Sequence, residues 1–378
     1  MVKYRDLKKR IERDKARKAS RKTKQYDNYD EVVSMQHLVS AWCKCQKGVS
    51  FKYSVQHYNA HAIENLNALY HQLKNQQLPK MKSCKQEVIR ERGKERVITP
   101  ISIEDRVPQR MISDYALVPM LQPKVIYDNG ASMAGKGVSF SRKRLEFMLE
   151  KAKRWYGDDF YVLQFDFKSF FDSVPHALCE RWLRKTFTDE RIIDITMQII
   201  RGYKPDGSNK GICLGSQVSQ MLALVVANDI DHYFKDKRRI KLYCRYMDDG
   251  VMFVKTKAEA HQLLKELSEI VTQNGLVLNV NKTHIVHVRH GFTFLKTKYV
   301  IRNQQTIKRL THASIVRMRR KLKAFKVNPK ITDESVYNSI QSWANRARQT
   351  KSFRSQKHMF ALYHELFNPP EKWRLKAA

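Results

Sequence analysis

The chain is short of acid. It sets 37 Asp and Glu against 72 Lys and Arg, a formal charge of +35, and an excess of that size points to a polyanionic partner. It is also short of ordered cysteine: Cys43, Cys45, Cys84, Cys179, Cys213 and Cys244 include no C-x-x-C pair. That excludes a disulfide scaffold and a Cys/His zinc array, and it leaves thiols suited to a reducing compartment. Long apolar runs are missing, and no cleavable leader opens the chain, so the expectation is a cytoplasmic protein with no membrane partner. There is no internal repeat and no low-complexity linker. At 378 residues and roughly 150 residues per domain, the chain is expected to form a multi-lobed body with a large core rather than a small binding module.

What is present begins with a basic arm. Residues 1–24 carry 12 basic and 3 acidic side chains, a composition suited to gripping nucleic acid. Residues 31–78 read as helices, with Val33, Leu38, Trp42 and then Ile63, Leu66, Leu69 and Leu73 at three- and four-residue steps, closed by Pro79. Residues 86–99 read as a β-hairpin around a charged turn. A helix over 104–122 follows, then a glycine-rich loop over 127–137 and a helix over 141–156. Beyond them the pattern predicts helices over 175–186, 190–202, 217–236 and 257–273, with Gly275 as a stop. Strands are expected over 276–281, 284–289 and 292–300. From 311 onward the pattern is basic and helical, through Ile315, Met318, Leu322, Val336, Ile340, Trp343, Met359, Leu362 and Leu366.

Two acidic features interrupt this pattern. Tyr246-Met247-Asp248-Asp249 lies between the apolar runs 241–245 and 250–254 and reads as a hairpin tip bearing adjacent carboxylates. Upstream, the strand-like run 160–172 presents Asp166. A single Asp at a hairpin tip is ordinary turn chemistry. Two apolar strands that each present Asp, separated by an apolar helix in so basic a chain, are not explained by turns. Carboxylates are the hard oxygen ligands Mg²⁺ takes, and nucleotidyl transfer uses two such ions roughly 3.5–4 Å apart. The expectation is that Asp166 and Asp248 lie side by side and bridge both ions, with Asp249 more peripheral.

The run Phe165-Asp166-Phe167-Lys168-Ser169-Phe170-Phe171-Asp172, the Tyr246–Asp249 box and their spacing resemble the catalytic motifs of bacterial reverse transcriptases. The likeness extends over about residues 85–300. It implies an α+β right-hand polymerase with fingers, an antiparallel-sheet palm and a helical thumb, plus an N-terminal helical extension. It also implies Mg²⁺, with Mn²⁺ able to substitute, held by Asp166, Phe167, Asp248 and Asp249. Phe171 would pack under the sugar and exclude a 2′-hydroxyl, with Phe170 in the core. Lys94, Arg96 and Arg106 would hold the triphosphate, Arg96 best by its bidentate geometry. Leu214-Gly215-Ser216-Gln217-Val218-Ser219-Gln220 is similar to the segment lining the nucleotide pocket, where Gly215 and Ser219 approach the template and Gln220 the base or sugar. Its form is the one associated with diversity-generating retroelements, and some antiphage defence enzymes are related. Lys282 stands where a family lysine assists the leaving pyrophosphate. Phe294-Leu295-Lys296 stands at the primer grip, with Lys296 where the family has Gly, and Tyr246 and Met247 complete the primer side.

The resemblance divides the chain into a basic arm (1–30), a helical extension (31–80), fingers (81–160), a palm (161–300, with part of the fingers at 175–215) and a thumb (301–378). On that division neither an RNase H nor an endonuclease domain is expected, and no Val-Thr-Gly thumb signature of retrons is found in residues 301–378. The leading expectation is RNA-directed DNA synthesis from dNTPs on a structured RNA template encoded nearby, giving cDNA, with an accessory protein or a second copy of the chain as partner. The alternative within the same chemistry is a defence enzyme making repetitive, untemplated or protein-primed DNA. From another class comes an inactive RNA-binding scaffold, against which the intact carboxylate set argues.

Overall fold

The computed structural model describes residues 23–79, 81, 87–91, 94–203, 207–302 and 305–375. Most of the basic arm, Cys84 and the turn at 92–93 lie outside the described residues. The expected N-terminal helices are α1 (Met35–Cys45), α2 (Tyr53–Ala60) and α3 (Ala62–Lys74). Ser34 caps α1 by accepting from the His37 amide. Leu38, Ala41, Leu66, Leu69 and Leu73 are buried, and α1 packs on α4 (Ile103–Ile112). The charged hairpin is β1 (Glu87–Glu91) paired antiparallel with β2 (Lys94–Ile98).

A four-stranded antiparallel sheet occupies the middle of the chain. Its strands are β3 (Tyr161–Phe165), β4 (Tyr243–Tyr246), β5 (Asp249–Val254) and β6 (His284–His287), in the order β4-β5-β3-β6. Successive side chains of a strand face opposite sides, and both sides are covered. Leu163, Phe165, Tyr243, Met252 and Val254 enter the main core. That core also takes α6 (His176–Arg184), α7 (Glu190–Arg201), α8 (Gln217–Val225) and α9 (Lys257–Gln273). Val162, Cys244, Val251 and Phe253 enter a second core. It is completed by α5 (Val138–Tyr156) through Leu145, Met148, Leu149 and Ala152, and by a three-stranded sheet of β7 (Phe292–Phe294), β8 (Thr297–Arg302) and β9 (Gln305–Leu310).

The C-terminal helices are α10 (His312–Val327), α11 (Asp333–Gln349) and α12 (Phe353–Phe367). Their core of Met318, Leu322, Val336, Ile340, Trp343 and Met359 matches the expected positions, with Leu362 and Leu366 only partly buried. Among the described residues no helix is long and apolar enough to cross a membrane. The five described cysteines are free thiols, and burial pushes Cys179 and Cys244 up to about 12, so both are inert.

Three expectations are corrected. Residues 276–281 form no strand: Leu278 makes one isolated bridge to Phe167, and Val280–Lys282 is a 3₁₀ turn. The helix expected over 217–236 is broken after α8, and resumes as Asn228–His232 and a wide π-type turn, Tyr233–Lys237. At the break the Leu224 carbonyl accepts from Arg245 Nη2 at 2.8 Å. Strand β9 is not expected, because its residues Gln305–Leu310 carry only Ile307 and Leu310 as apolar side chains, three apart, and so lack an alternating apolar pattern.

Candidate active site

Strand pairing assembles the acidic residues. Phe165 on β3 pairs with Gly250 on β5, so one step further the register sets Asp166 opposite Asp249. Tyr246 pairs with Asp249 across β4 and β5, which leaves Met247 and Asp248 as a two-residue loop. The register therefore sets Asp249, rather than Asp248, directly across from Asp166. Met247 takes a positive φ of 53°, a conformation that costs a non-glycine residue about 1 kcal/mol or more. Gly250 is required by packing: a Cβ there would lie 2.1 Å from the Phe165 ring.

The strained loop is tied down from beneath by a charge pair with no solvent exposure on either side chain. Arg245 Nε donates to Asp231 Oδ1 at 2.9 Å and Nη2 to Asp231 Oδ2 at 2.7 Å. Nη1 donates to the Met247 carbonyl at 2.6 Å. Tyr243 donates its hydroxyl to Asp231 Oδ1 at 2.5 Å. Burial works against the Arg245 charge, and the Asp231 carboxylate overrides it.

Asp166 is 3% exposed. The backbone on either side is clamped: Asn279 N donates to the Asp166 carbonyl and Lys168 N to the Val277 carbonyl, each at 2.8 Å. Asn279 Nδ2 reaches Asp166 Oδ1 at 3.1 Å, and Lys282 Nζ reaches Oδ2 at 2.6 Å. Burial raises the Asp248 carboxyl above its usual range, helped by the charge of Asp166. Asp249 is pushed up to about 7, first by burial and then by Asp248 and Asp166, with Asp166 within hydrogen-bonding reach. Burial acts to lower the Lys282 ammonium, and its bond to Asp166 more than offsets this.

Among the described residues no group of three His, Cys, Asp or Glu side chains stands ready-made as a metal cluster. Asp166 instead carries the Lys282 ammonium. That side chain is half exposed, so a cation reaches the carboxylate by displacing one surface group. The donor set of carboxylate oxygens, with repulsion that only a positive charge relieves, fits a hard divalent ion.

The remaining expected residues fall around this point with varied surroundings. Phe167 is buried, its ring stacked 5.1 Å from Phe170; a phenyl ring offers no ligand atom, so any part in metal binding falls to its carbonyl. Phe171 is partly buried against the main core, and its carbonyl accepts from Ile212 N at 2.7 Å. Tyr246 and Met247 are partly buried too. Gln220 Oε1 accepts from Ser132 of the glycine-rich loop at 2.7 Å. The Ser219 hydroxyl is buried with no hydrogen-bond partner among the described residues. At Gly215 a Cβ would meet only Ile101, at 3.9 Å, so the chain itself does not demand glycine there. Arg106 is exposed on α4, with Nη2 donating to the Ile101 carbonyl at 3.2 Å. Lys94 and Arg96 lie on β2, and their side chains lie outside the described residues.

The chain turns tightly at Leu295–Lys296 even though Lys296 stands where the family has Gly. Phe294 pairs with Thr297, and Leu295 and Lys296 take positive φ values of 45° and 64°, the double left-handed pattern of a two-residue hairpin. Two arginines hold it. Arg142 Nη2 donates to the Leu295 carbonyl at 2.7 Å, and Arg346 Nη2 to the Lys296 carbonyl at 3.1 Å. Sequence reasoning missed Arg142, Arg346, Asn279 and the Arg245–Asp231 pair. For Arg245 a signal existed, a charge within the apolar run Leu242–Tyr246, whereas Asp231 sits among Asn228, Asp229 and His232 and carries none.

The family model described as reverse transcriptase (RNA-dependent DNA polymerase) matches residues 78–313. Protein YkfC of Escherichia coli (strain K12) is 26% identical over 173 residues, covering 36% of this chain and 45% of that protein. Among solved structures, telomerase from Candida albicans in complex with a TWJ fragment of telomeric RNA has a TM-score of 0.45 at 12% identity, covering 78% of this chain and 61% of that one. Apo telomerase from Candida tropicalis, truncated from its C-terminal domain, has a TM-score of 0.47 at 14% identity, covering 66% and 60%. The chain thus spans less than two thirds of each of these relatives. With the family model covering more than half of it, the chain belongs to the reverse transcriptase family, the RNA-dependent DNA polymerases.

Proposed function

We propose that the chain copies a bound RNA into DNA, adding deoxynucleotides at the acidic hairpin. The observation that carries this is the convergence of Asp166, Asp248 and Asp249, where burial and then the neighbouring carboxylates push Asp249 up to about 7 in a chain of charge +35. RNA binding alone calls for no such repulsion. Asp166, Asp248 and Asp249, with the Phe167 carbonyl, would hold divalent ions, Mg²⁺ or Mn²⁺. Such ions, when bound, supply the charge that acidifies a primer 3′-hydroxyl and steadies the leaving pyrophosphate.

The chain's own part is position and electrostatics. Lys282, kept protonated beside Asp166, is placed to give charge or a proton to pyrophosphate once it turns from the carboxylate. Lys94, Arg96 and Arg106 take the triphosphate. Phe171 closes the space a 2′-hydroxyl would need, which selects dNTPs. Gln220, Gly215 and Ser219 line the template side, while Tyr246, Met247, Phe294, Leu295 and Lys296 support the primer end. In this reading β1, β2 and α4 belong to the fingers, the four-stranded sheet to the palm and α10 to α12 to the thumb.

Residues 214–220 favour a diversity-generating retroelement, with a structured RNA encoded nearby and an accessory protein or second copy as partner. A defence enzyme making repetitive, untemplated or protein-primed DNA is the alternative. The test is to purify the chain with the RNA it retains, add Mg²⁺ and labelled dNTPs, and sequence the product beside an Asp248→Asn control. DNA complementary to that RNA and lost in the variant supports the reading. Low-complexity DNA unrelated to the RNA supports the alternative, and templated DNA from the variant overturns the assignment of Asp248.

A further inference from the structure

Helix α5 buries one side against the palm-like sheet through Leu145, Met148, Leu149 and Ala152. Its other side carries a different pattern. Phe147 and Trp155 are 43% and 49% exposed, and Tyr127, in the loop before the helix, is 64% exposed. Cations sit between these rings. Arg144 lies 5.0 Å from the Tyr127 ring and 4.9 Å from Phe147. Lys151 lies 4.7 Å from Phe147 and 5.9 Å from Trp155. Lys136 extends the series, 5.0 Å from Tyr127 and 5.1 Å from Phe140. Ring and cation therefore alternate along the face, and Phe147 to Trp155 alone spans about 12 Å of helix.

Nearby carboxylates offset this charge only in part. Asp128 pairs with Arg144 of the series at 2.6 Å but is shared with Lys235 at 2.7 Å, while Glu146 is held by Lys308 at 3.1 Å and Glu150 by Lys153 at 3.0 Å, both cations outside the series. Beside the ladder runs an open groove between α5 and β9, whose lining includes Phe147, Arg154, Arg309 and Lys351. Large exposed rings held in place by cations are costly to leave in water, and a rigid ring loses little entropy on contact. The matching ligand offers flat π faces and a negatively charged backbone. A protein partner matches less well, since lysine is depleted from protein interface cores.

We propose that this face of α5 is a second nucleic-acid surface, on which unpaired bases of a bound RNA stack on Tyr127, Phe147 and Trp155 while its phosphates follow the basic groove. None of these residues contacts the carboxylate site, so the surface holds RNA that is not being copied. A base–ring stack of this kind is worth roughly 5- to 150-fold in affinity.

The experiment uses the full chain and a single-stranded RNA of about 20 nucleotides carrying 5-iodouridine. Adducts are mapped by mass spectrometry, and affinity is measured for the wild type and for Phe147→Ala/Trp155→Ala, whose melting temperatures are compared. The proposal expects adducts at Phe147 or Trp155, at least about fivefold weaker binding in the variant, and an unchanged melting temperature. Extension of a short primer on a short template, too small to reach the ladder, is expected to stay unchanged. Equal affinity of the two proteins without adducts overturns the proposal. So does a loss that appears only for DNA or for duplex RNA, or a wild-type self-association that the variant abolishes, which would make the face a protein interface. A chain with no polymerase activity leaves the binding measurement intact, so failure here is distinct from failure of the catalytic reading.

Discussion

The Arg245–Asp231 pair gives the sharpest mutational test of how the carboxylate hairpin is held. Both side chains are fully buried, and removing one partner of such a pair costs about 3–5 kcal/mol, because the other charge stays uncompensated. Arg245→Met also orphans the Met247 and Leu224 carbonyls, which Arg245 serves at 2.6 and 2.8 Å, adding about 1–3 kcal/mol each if no water replaces it. Domains of ordinary stability hold about 5–15 kcal/mol in all, so either single variant sits near the edge of folding. The double variant Arg245→Met/Asp231→Val removes both charges and is expected to recover most of the loss. It does not restore the tether on Met247, whose positive φ then relaxes and shifts Asp248. A misplacement of about 1 Å costs on the order of 100-fold in rate. Denaturant unfolding and steady-state extension together decide the matter: the double variant folds, its kcat falls at least about tenfold, and its KM for dNTP changes little. Full kcat in the double variant would show that the pair only fills space. A loss below about 1 kcal/mol in Arg245→Met would refute the burial argument itself.

The other expectations concern the same region. Asp249 has its carboxyl raised to about 7, so between pH about 4 and 7 the folded protein holds a proton that the unfolded chain has lost. Its contribution to stability is present at low pH and disappears as pH rises through about 7; the metal-free protein should melt lower at pH 8 than at pH 5.5, Asp249→Asn should flatten that slope, and Mg²⁺ should raise the melting temperature more at pH 8. Equal slopes in wild type and variant would contradict this. Gly250→Ala forces a methyl into the Phe165 ring and is expected to cost about 1–3 kcal/mol by thermal unfolding, partly restored by Phe165→Leu; a neutral effect would mean the ring moves freely. Lys296→Gly relieves a left-handed residue at φ 64° and should stabilise by about 0.5–1 kcal/mol, with destabilisation counting against the strain.

Elements with local signals were legible in the sequence. Helix α9 runs Lys257–Gln273 as expected, since Thr256 caps it by accepting from the Glu259 amide and Gly275 at φ 68° ends the chain's course beyond it. The acidic hairpin announced itself because two carboxylates interrupt apolar runs. What escaped notice depends on distant partners. Residues 276–281 carry strand-like residues, but the turn at Val280–Lys282 brings Asn279 and Lys282 onto Asp166, which no local preference records. Strand β9 is held at a sheet edge partly through Thr306 to Glu150 and Lys308 to Glu146, so its polar sequence reads as loop. The Leu295–Lys296 turn survives without glycine because Arg142 and Arg346 bind its carbonyls. The choice between Asp248 and Asp249 opposite Asp166 turned on a one-residue register, which only the pairing of Phe165 with Gly250 fixes.

The central claim is that Asp166, Asp248 and Asp249 catalyse RNA-templated DNA synthesis. Its most direct test is extension of a labelled primer on a defined RNA template, with Mg²⁺ titrated from zero, for the wild type and for Asp248→Asn at matched folding and RNA affinity. The account expects full-length complementary DNA that requires Mg²⁺ and falls by at least about 1,000-fold in the variant. Undiminished synthesis by Asp248→Asn, or synthesis independent of divalent metal, would contradict it.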